Sequence, residues 1–246
     1  MSISIIRPDW PAPPGIRAVS TLRVGGVSSG PFASLNLGLH VGDDPDCVRE
    51  NRRILAEDLA LPSAPNWLNQ VHGNRCIEAG FTDAPEADAS WTDRPGIVCA
   101  VMTADCLPIL MCTRDGSTVA AVHAGWKGLA NGVIGSAIAA LNTTDILAWL
   151  GPAIGPDTFA VGAEVREIFV DLDPALTQAF RAQPGDRFLA DIYRIGRATL
   201  TRLGVSPDNI FGGGWCTYGQ AAEFFSYRRD GVTGRMASVI WREPSA

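Results

Sequence analysis

A nearly continuous apolar run, GIVCAVMTADCLPILM, occupies residues 96–111 and constrains the fold more than any other feature. A second run, STVAAVHAGWKG, occupies residues 117–128 and ends at a glycine turn. Apolar runs without alternation are typical of buried strands, and the first run is interrupted near Asp105. Neither run reaches the stretch of about 18 uncharged apolar residues that indicates a membrane-spanning helix. We therefore expect buried strands and no membrane span.

Helical and strand patterns interleave along the rest of the chain. The predicted strands are 18–24, 66–72, 146–154, 209–217, 223–231 and 235–241. The predicted helices are a segment that begins near Asp43 and Asp44, then 129–141, 163–170, 174–183 and 192–205. Because several late strands look hairpin-connected, we expect an α/β (α+β) fold. It should form a single domain over residues 1–246, with mixed β-sheets covered by helices.

Composition and charge exclude several classes of protein. The chain has 246 residues, 46% hydrophobic and 19% charged, which indicates a globular protein with a sizeable core. Its net charge of −6 argues against a sequence-independent nucleic-acid binder, which needs a basic face. The first residues, MSISIIRPDWPAPPGIR, lack the pattern of a signal peptide. We expect a soluble, cytoplasmic protein and predict no particular oligomeric state.

Six cysteines occur in the chain, and no two of them form a CxxC pair. A cytosolic chain of this length neither needs nor easily keeps disulfides, so we expect free thiols. Most of these cysteines should be small buried hydrophobic residues. Cys106 is the exception, for the reasons that follow.

The only three histidines are His40, His72 and His123. His72 and His123 each end a predicted strand at a glycine turn, in QVHG and VHAGWKG, and Cys106 occupies an equivalent place in TADC. Three metal-competent side chains at three strand ends can converge in space, although the wide spacing is weak evidence by itself. We interpret His40 as a structural residue.

Three motifs, NQVHG (69–73), TADCLP (103–108) and HAGWKG (123–128), resemble the signature of the YfiH/YlmD family. This family is also called the laccase-domain or "multicopper polyphenol oxidoreductase" family, and it includes the human protein FAMIN. The resemblance covers nearly the whole chain. The supporting segments are VSTLRVGGVSSGPFASLNLGLHVGDDP (19–45), GPAIGP (151–156) and FFSYRRDGVTGR (224–235).

The resemblance implies that His72, Cys106 and His123 are metal ligands. It also implies an α/β fold related to the toxin deamidase CNF. The implied reactions are phosphorolysis of adenosine, inosine and methylthioadenosine to the free base and ribose 1-phosphate, and deamination of adenosine. The small-molecule partners would be a purine nucleoside and phosphate. Two departures stand out: Lys127 replaces the usual Arg, and GPDTFAVG lacks the cysteines common after IGP.

Two histidines and one cysteine fit zinc and leave a fourth position open, which is the pattern of a catalytic site. Zinc lowers the pKa of bound water to about 7, and adenosine deamination requires such a hydroxide. The resemblance makes Cys106 a catalytic residue as well as a ligand. Asp105 is the nearest acid in sequence and either supplies a proton to the purine ring or stabilises a turn.

Phosphorolysis also requires a pocket for phosphate. Lys127 opens a predicted helix, a position suited to anions. Arg23 and Arg228 are further phosphate-binding residues in this hypothesis, although both are equally typical of a protein surface. Asn36 and Gln70 would orient the sugar or the base, and roles in turns or at strand ends explain them nearly as well.

Other functions compete with a zinc-dependent purine nucleoside enzyme. Copper is the alternative metal, since a His₂Cys set also forms blue-copper centres, but a multicopper oxidase adds a trinuclear cluster that three histidines cannot supply. A metal-free hydrolase would use Cys106 as nucleophile with His123 or His72 as base. A non-enzymatic binding role and editing of peptidoglycan precursors also stay open. We expect phosphorolysis as the main reaction and deamination as the second.

Overall fold

The computed structural model describes residues 3–244. The strands in that range are β1 (Ile5–Ile6), β2 (Ile16–Thr21), β3 (Cys76–Glu78), β4 (Ala89–Thr92), β5 (Val98–Thr103), β6 (Leu107–Thr113), β7 (Val119–Ala124), β8 (Ile146–Leu150), β9 (Ala160–Gly162), β10 (Phe180–Gln183), β11 (Arg187–Ala190), β12 (Ile210–Gly212) and β13 (Met236–Arg242). The α-helices are α1 (Pro45–Asp58), α2 (Trp126–Ala130), α3 (Val133–Leu141), α4 (Ala163–Leu172), α5 (Ile192–Arg202) and α6 (Tyr227–Asp230). The expected domain bounds 1–246 include four residues outside the described range, so these bounds stay a prediction.

The strands form three sheets. An antiparallel four-stranded sheet has the order β1-β2-β13-β5. A six-stranded sheet has the order β12-β8-β6-β7-β4-β3, in which the two outer pairs are parallel and the inner pairs antiparallel. The third sheet, β10-β11-β9, is antiparallel. The six-stranded sheet confirms the expectation of mixed rather than purely parallel pairing.

The two larger sheets pack face to face, and the alternation of side chains along each strand explains how both faces are buried. In β5, Cys99 and Val101 point into the space between the sheets, where Leu110 of β6 meets them. The alternate residues of β5, Val98 and Ala100, point to the outer face and pack in one cluster with Leu55 of α1. Every residue of β5, β6 and β7 is therefore buried, as the apolar runs predict.

Helices cover the outer faces of this sandwich. Helix α1 covers the four-stranded sheet, and α2 to α5 contribute to a separate core on the outer side of the six-stranded sheet. The order of layers is helix, sheet, sheet, helices, which confirms the expected α/β class. No helix within residues 3–244 has the length and apolar character needed to span a membrane.

Helix α1 begins where its sequence predicts. The side chain of Asp44 caps it by accepting a hydrogen bond from the Asp46 amide at 2.8 Å. Its buried residues are Val48, Asn51 and Leu55. The Asn51 amide donates to the Ser28 hydroxyl and to the carbonyls of residues 34 and 36, so this face of α1 fixes the loop between β2 and α1.

Two predicted elements differ in the structure because of left-handed backbone turns. The predicted helix 129–141 is two helices, α2 and α3, because Gly132 has φ +88° and interrupts the helical path. The predicted strand 66–72 is wrong. Only Asn66 and Asn69 make isolated bridges there, and His72 has φ +60°, which an extended strand excludes.

The C-terminal third needs further corrections. The predicted helix 174–183 is a 3₁₀-helix, Pro174–Ala179, followed by strand β10. The predicted strand 223–231 contains helix α6, because the Ser226 hydroxyl caps it by accepting from the Arg229 amide. The predicted strand 209–217 is reduced to β12, since Gly212, Gly213 and Gly214 all have positive φ. The predicted strand 235–241 is confirmed as β13.

The six cysteines are free thiols, as expected. Only Cys99 and Cys112 are fully buried, and the other four are partly exposed, so the expectation of burial is correct for fewer cysteines than predicted.

Candidate active site

Two loops and the end of one strand bring the three predicted metal ligands together. His72 lies in the loop before β3, Cys106 lies between β5 and β6, and His123 lies in β7 opposite Pro108 of β6. Their ligand atoms all lie within 4.8 Å of one another. The Sγ atom of Cys106 is 3.7 Å from Nε2 of His72, and the two imidazole rings meet edge to face with centroids 4.8 Å apart.

This geometry fits a metal ion. A tetrahedral zinc site with bonds of about 2.0–2.3 Å separates its ligand atoms by about 3.5 Å. The 3.7 Å between the Cys106 sulfur and the His72 nitrogen is close to that value. His72, Cys106 and His123 therefore form a group that could bind a metal, which we call the ligand trio.

Asp88 holds two members of the ligand trio in place and was not predicted as a site residue from the sequence. It is fully buried, and its carboxylate accepts a hydrogen bond at 2.8 Å from Nδ1 of His123. The same carboxylate accepts from the backbone amides of His72 and Gly73, at 2.9 and 2.7 Å. A carboxylate behind a histidine fixes its tautomer and leaves Nε2 for a metal. The usable signal was an acid flanked by small apolar residues at the start of a strand, ADASW.

Close backbone approach shapes the site. A Cβ atom on Gly125 would lie 2.9 Å both from the Cys106 sulfur and from Cδ2 of His72, so only glycine fits between these side chains. His72 and Asp105 are non-glycine residues with positive φ, +60° and +95°. Residues held in this region of the backbone map cluster at functional sites.

The charges of the metal-free ligand trio depend on one another. Burial raises the pKa of the Cys106 thiol, but the imidazoles of His123 and His72 outweigh it and lower this pKa to about 6. Burial lowers the pKa of His123, but the Cys106 sulfur and the Asp88 carboxylate outweigh it and raise this pKa to about 9. A thiolate beside an imidazolium is therefore the favoured state at neutral pH without metal.

The ligand trio opens into a cleft of about 530 Å³. Three basic side chains line it: Lys127, Arg228 and Arg235. No ion pair with a carboxylate involves any of them within residues 3–244. An acidic protein thus has a positively charged cleft beside its ligand trio, and such a cleft attracts anions. The remaining residues lining the cleft are His40, Gln70, Met102, Thr103, Ala104, Asp105, Trp126, Ile154, Phe159, Ile192 and Tyr227.

Two more of the predicted site residues lie in this cleft and also have structural partners. The amide of Gln70 pairs with the backbone of Met102, donating to its carbonyl at 2.8 Å and accepting from its amide at 2.7 Å. The carboxylate of Asp105 accepts from the Thr217 hydroxyl at 2.6 Å and from the Arg228 amide at 2.7 Å. Because both of its oxygens are occupied, the geometry favours the turn-stabilising role of Asp105.

Arg23 lies outside the lining of the cleft. Its guanidinium donates to the carbonyls of Ala33 and Ala221, each at 3.0 Å, and stacks on the Phe225 ring with 4.6 Å to the centroid. Asn36 also lies outside the lining and is fully buried. Both side chains hold loops together, so we do not retain the hypothesis that they contact substrate.

Two side chains of the cleft that could hold an anion, Arg235 and His40, were not predicted as binding residues from the sequence. Arg235 lies just before β13 and was included only in a predicted strand. His40 was interpreted as structural, but it lines the cleft and is exposed. A signal for both was their position in segments that carry the family resemblance, 19–45 and 224–235.

Known proteins resemble this chain over nearly its whole length. Residues 17–243 match the family model described as "Multi-copper polyphenol oxidoreductase laccase". Relatives include the "Purine nucleoside phosphorylase YfiH" of Escherichia coli K12, 54% identical over 96% of this chain and 98% of that protein. A purine nucleoside phosphorylase of Pseudomonas aeruginosa is 52% identical over 96% of this chain and 97% of that protein.

Solved structures also resemble this chain in fold and sequence. The Neisseria meningitidis protein NMB0706 has a TM-score of 0.92 and 47% identity, covering 98% of this chain and 99% of that one. YlmD from Geobacillus stearothermophilus has a TM-score of 0.91 and 34% identity, covering 99% and 98%. The fold, the motifs around the ligand trio and these similarities together show that the chain belongs to the multi-copper polyphenol oxidoreductase laccase family, to which the YfiH and YlmD proteins belong.

Proposed function

We propose that the protein is a zinc-dependent purine nucleoside phosphorylase that converts adenosine, inosine or methylthioadenosine to the free base and the sugar 1-phosphate. The observation that carries this proposal is the position of the ligand trio in one cleft with three basic side chains that have no carboxylate partner among residues 3–244. The names of the relatives at 52% and 54% identity support the substrate class.

Phosphorolysis requires a site that binds phosphate and nucleoside together and orients a phosphate oxygen toward C1′ of the ribose. A phosphate oxygen forms a bond to C1′ of the ribose while the bond from C1′ to the purine nitrogen breaks, and its electron pair and a proton end on the base. Basic side chains that line this cleft would hold the phosphate dianion by charge-assisted hydrogen bonds. Apolar and aromatic residues of the same cleft, such as Phe159 and Ile192, would contact the flat purine and exclude water.

His72, Cys106 and His123 would hold the zinc ion. Lewis acidity and a lowered pKa of water are the chemistry that zinc supplies when bound by three protein ligands. Asp88 would keep the His123 ring in the required tautomer through its 2.8 Å hydrogen bond. Gly125 leaves the space in which the Cys106 and His72 side chains approach each other.

Product analysis tests the reaction. Purified, zinc-loaded protein is incubated with adenosine, with and without inorganic phosphate, and the products are separated. We expect adenine and ribose 1-phosphate only when phosphate is present. Cys106→Ala should lose both metal and activity, whereas Cys47→Ala, a partly exposed cysteine on α1, should keep both. Full turnover by Cys106→Ala would exclude the mechanism.

Adenosine deamination is the second reaction in this proposal. It consumes water and releases ammonia and inosine, so it needs no phosphate. The open fourth position of a three-ligand metal site supports it. Formation of inosine and ammonia in phosphate-free buffer, followed at a fixed adenosine concentration, measures it directly.

Copper is the alternative metal, and the family name favours it. The sequence contains three histidines, too few for a blue-copper site together with a trinuclear cluster. Metal analysis of protein purified without added metal separates the two metals. Stoichiometric copper with a strong visible thiolate band would exclude zinc as the resident ion.

A metal-free cysteine hydrolase is a second candidate function, and one observation favours it. Cys106, His123 and Asp88 form a line of nucleophile, base and orienting carboxylate, with 2.8 Å between the last two. Editing of peptidoglycan precursors would be one use of such a site. A hydrolase of this kind survives chelation and is inactivated by alkylation, whereas the zinc enzyme is inactivated by chelation and its bound zinc protects Cys106 from alkylation.

A further inference from the structure

His40 and Arg235 approach each other across a glycine. A Cβ atom on Gly38 would lie 2.9 Å from Cγ of Arg235 and 3.4 Å from Cε1 of His40. Both side chains line the cleft of the ligand trio. The missing side chain at Gly38 therefore allows two basic groups, distant in sequence, to share one side of the cleft.

The Asn36 side chain holds the backbone segments of Gly38 and Arg235 together. Its Oδ1 atom accepts hydrogen bonds from the backbone amides of Gly38 at 3.0 Å and Arg235 at 2.9 Å. Its Nδ2 atom donates to the Asp43 carboxylate at 2.9 Å. One buried side chain thus joins the segment that carries His40 to the start of β13.

The charge of Arg235 has no carboxylate partner within 4.0 Å in residues 3–244. One terminal nitrogen, Nη1, donates to the carbonyls of Thr233 and Gly234, at 3.0 and 3.1 Å. Nε and the other terminal nitrogen have no hydrogen-bond partner in the same range of residues. Partial desolvation of the ring lowers the pKa of His40, and the positive charges of Arg235 and Arg52 lower it further. This concentration of positive charge beside the ligand trio favours a bound anion.

We propose that Arg235 and His40 form the subsite for inorganic phosphate in this cleft. The inference rests on the proposed phosphorolysis and goes further by assigning the phosphate to these two residues. A guanidinium offers two parallel N–H donors to a phosphate, and the Nε and Nη2 atoms of Arg235 are such a pair. The imidazole of His40, which is exposed and has no hydrogen-bond partner in the described residues, would donate a further hydrogen bond.

Direct titration with inorganic phosphate tests the subsite. Calorimetry on the zinc-loaded protein, without nucleoside, gives the dissociation constant for the wild type, Arg235→Gln and His40→Gln. We expect each variant to bind phosphate about 10- to 100-fold more weakly, the usual loss for a hydrogen bond to a charged group. Arg181→Gln is the matched control, because Arg181 is exposed and paired with Asp157 outside the cleft, and it should bind like the wild type.

Steady-state kinetics separate this subsite from a merely structural role. We expect both variants to raise the KM for phosphate while the KM for adenosine stays within about twofold of the wild type. If Arg235→Gln fails to fold, His40→Gln decides the question, because the exposed His40 side chain holds no other element in place.

Three results would separate the fate of the phosphate subsite from the fate of the proposed function. Unchanged phosphate affinity in both variants, with ribose 1-phosphate still formed by the wild type, overturns the subsite and leaves the proposed function standing. Phosphate binding that depends on Arg235, in a protein that forms no ribose 1-phosphate, supports the subsite and overturns the proposed function. If only adenosine 5′-monophosphate loses affinity in the variants, the subsite binds the phosphate of a nucleotide, and the assignment to inorganic phosphate is overturned.

Discussion

Asp88 connects several parts of the candidate active site. Its buried carboxylate accepts hydrogen bonds from the His123 ring and from the amides of the loop that carries His72. The backbone carbonyl of the same residue accepts from the His123 amide at 2.7 Å. Two of the three predicted metal ligands therefore depend on one negative charge.

Asp88→Asn should weaken zinc binding about 10- to 100-fold, because the substitution removes the charge that orients His123 while it keeps the size of the side chain. The measurement is competition between the protein and a coloured zinc chelator. Asp83→Asn, an exposed residue a few positions earlier, is the control and should leave the affinity unchanged. Equal zinc affinity in Asp88→Asn and the wild type would contradict the role assigned to Asp88.

Thiol reactivity should separate Cys106 from the cysteines with a raised pKa in metal-free protein. The imidazoles of His123 and His72 outweigh burial and lower the Cys106 pKa to about 6, so its reactive thiolate persists at pH 7 and disappears below pH 6. Burial raises the pKa of Cys76, Cys99 and Cys112 to about 12, which keeps them protonated.

Alkylation with iodoacetamide after chelation, followed by mass spectrometry, checks this prediction from pH 5 to pH 9. We expect early labelling of Cys106, no early labelling of Cys76, Cys99 and Cys112, and protection of Cys106 by added zinc. Labelling of Cys106 that begins only above pH 8 would show that the imidazoles do not stabilise its thiolate.

At the scale of elements, the ends of strands rather than their middles form the site. Strands β5, β6 and β7 are buried along their whole length and provide a rigid frame. Cys106 lies in the turn between β5 and β6, and Gly125 joins β7 to α2. The chain turns sharply at these points, so side chains from different connections reach one another.

Gly125→Ala should disrupt the ligand trio. The new Cβ atom would lie 2.9 Å from the Cys106 sulfur, closer than such contacts occur, although the backbone angles of Gly125 suit alanine. We expect a reduced zinc content and a lower melting temperature. Gly135→Ala in helix α3 is the matched control, because its nearest neighbour would lie 3.9 Å away.

The control should bind zinc normally and gain about 0.5–1 kcal/mol in the free energy of unfolding, since alanine favours a helix over glycine. Metal analysis and urea unfolding of both variants provide the comparison. Full zinc occupancy in Gly125→Ala would mean that the ligand trio has room to rearrange.

At the scale of the whole molecule, two sheets and their covering helices form a sandwich with the cleft at one end of the strands. The net charge is −6, yet the cleft is lined by Lys127, Arg228 and Arg235 without carboxylate partners in residues 3–244. The acidic surface and the basic cleft are thus separate features. An anionic substrate would be attracted specifically to the cleft.

Zinc should stabilise the whole fold, because the ligand trio joins the loop before β3 to the central strands of the six-stranded sheet. Binding to the folded state alone adds about 2.7 kcal/mol when free zinc is 100 times its dissociation constant. We therefore expect the melting temperature to fall on chelation and to recover on zinc addition.

Thermal unfolding with and without a chelator measures this effect. Cys106→Ala should show no response to zinc, and Cys47→Ala should respond like the wild type. A melting temperature of the wild type that is insensitive to zinc would mean that the trio does not bind the ion in the folded protein.

Hydrophobic pattern and capping chemistry predicted much of the fold. Helix α1, the apolar strands β5 to β7 and strand β13 follow from local periodicity. The predicted strand 66–72 is wrong because His72 adopts φ +60°, a backbone conformation that local preference disfavours. The predicted strand 223–231 is wrong for another reason: Ser226 caps helix α6, and the apolar pattern used for the prediction does not contain this capping signal.

The sequence alone determined which residues are competent to bind a metal, because His72, Cys106 and His123 lie in motifs with family resemblance and few other histidines exist. Only the tertiary structure decided which residues surround them. It brought Asp88 under the ligand trio and Arg235 beside His40, and it placed Arg23 and Asn36 in loop-bracing positions. The physical reason is that the role of a polar side chain depends on its hydrogen-bond and charge partners, which are often distant in the chain. A sequence pattern indicates burial and periodicity, but it does not indicate which distant groups meet.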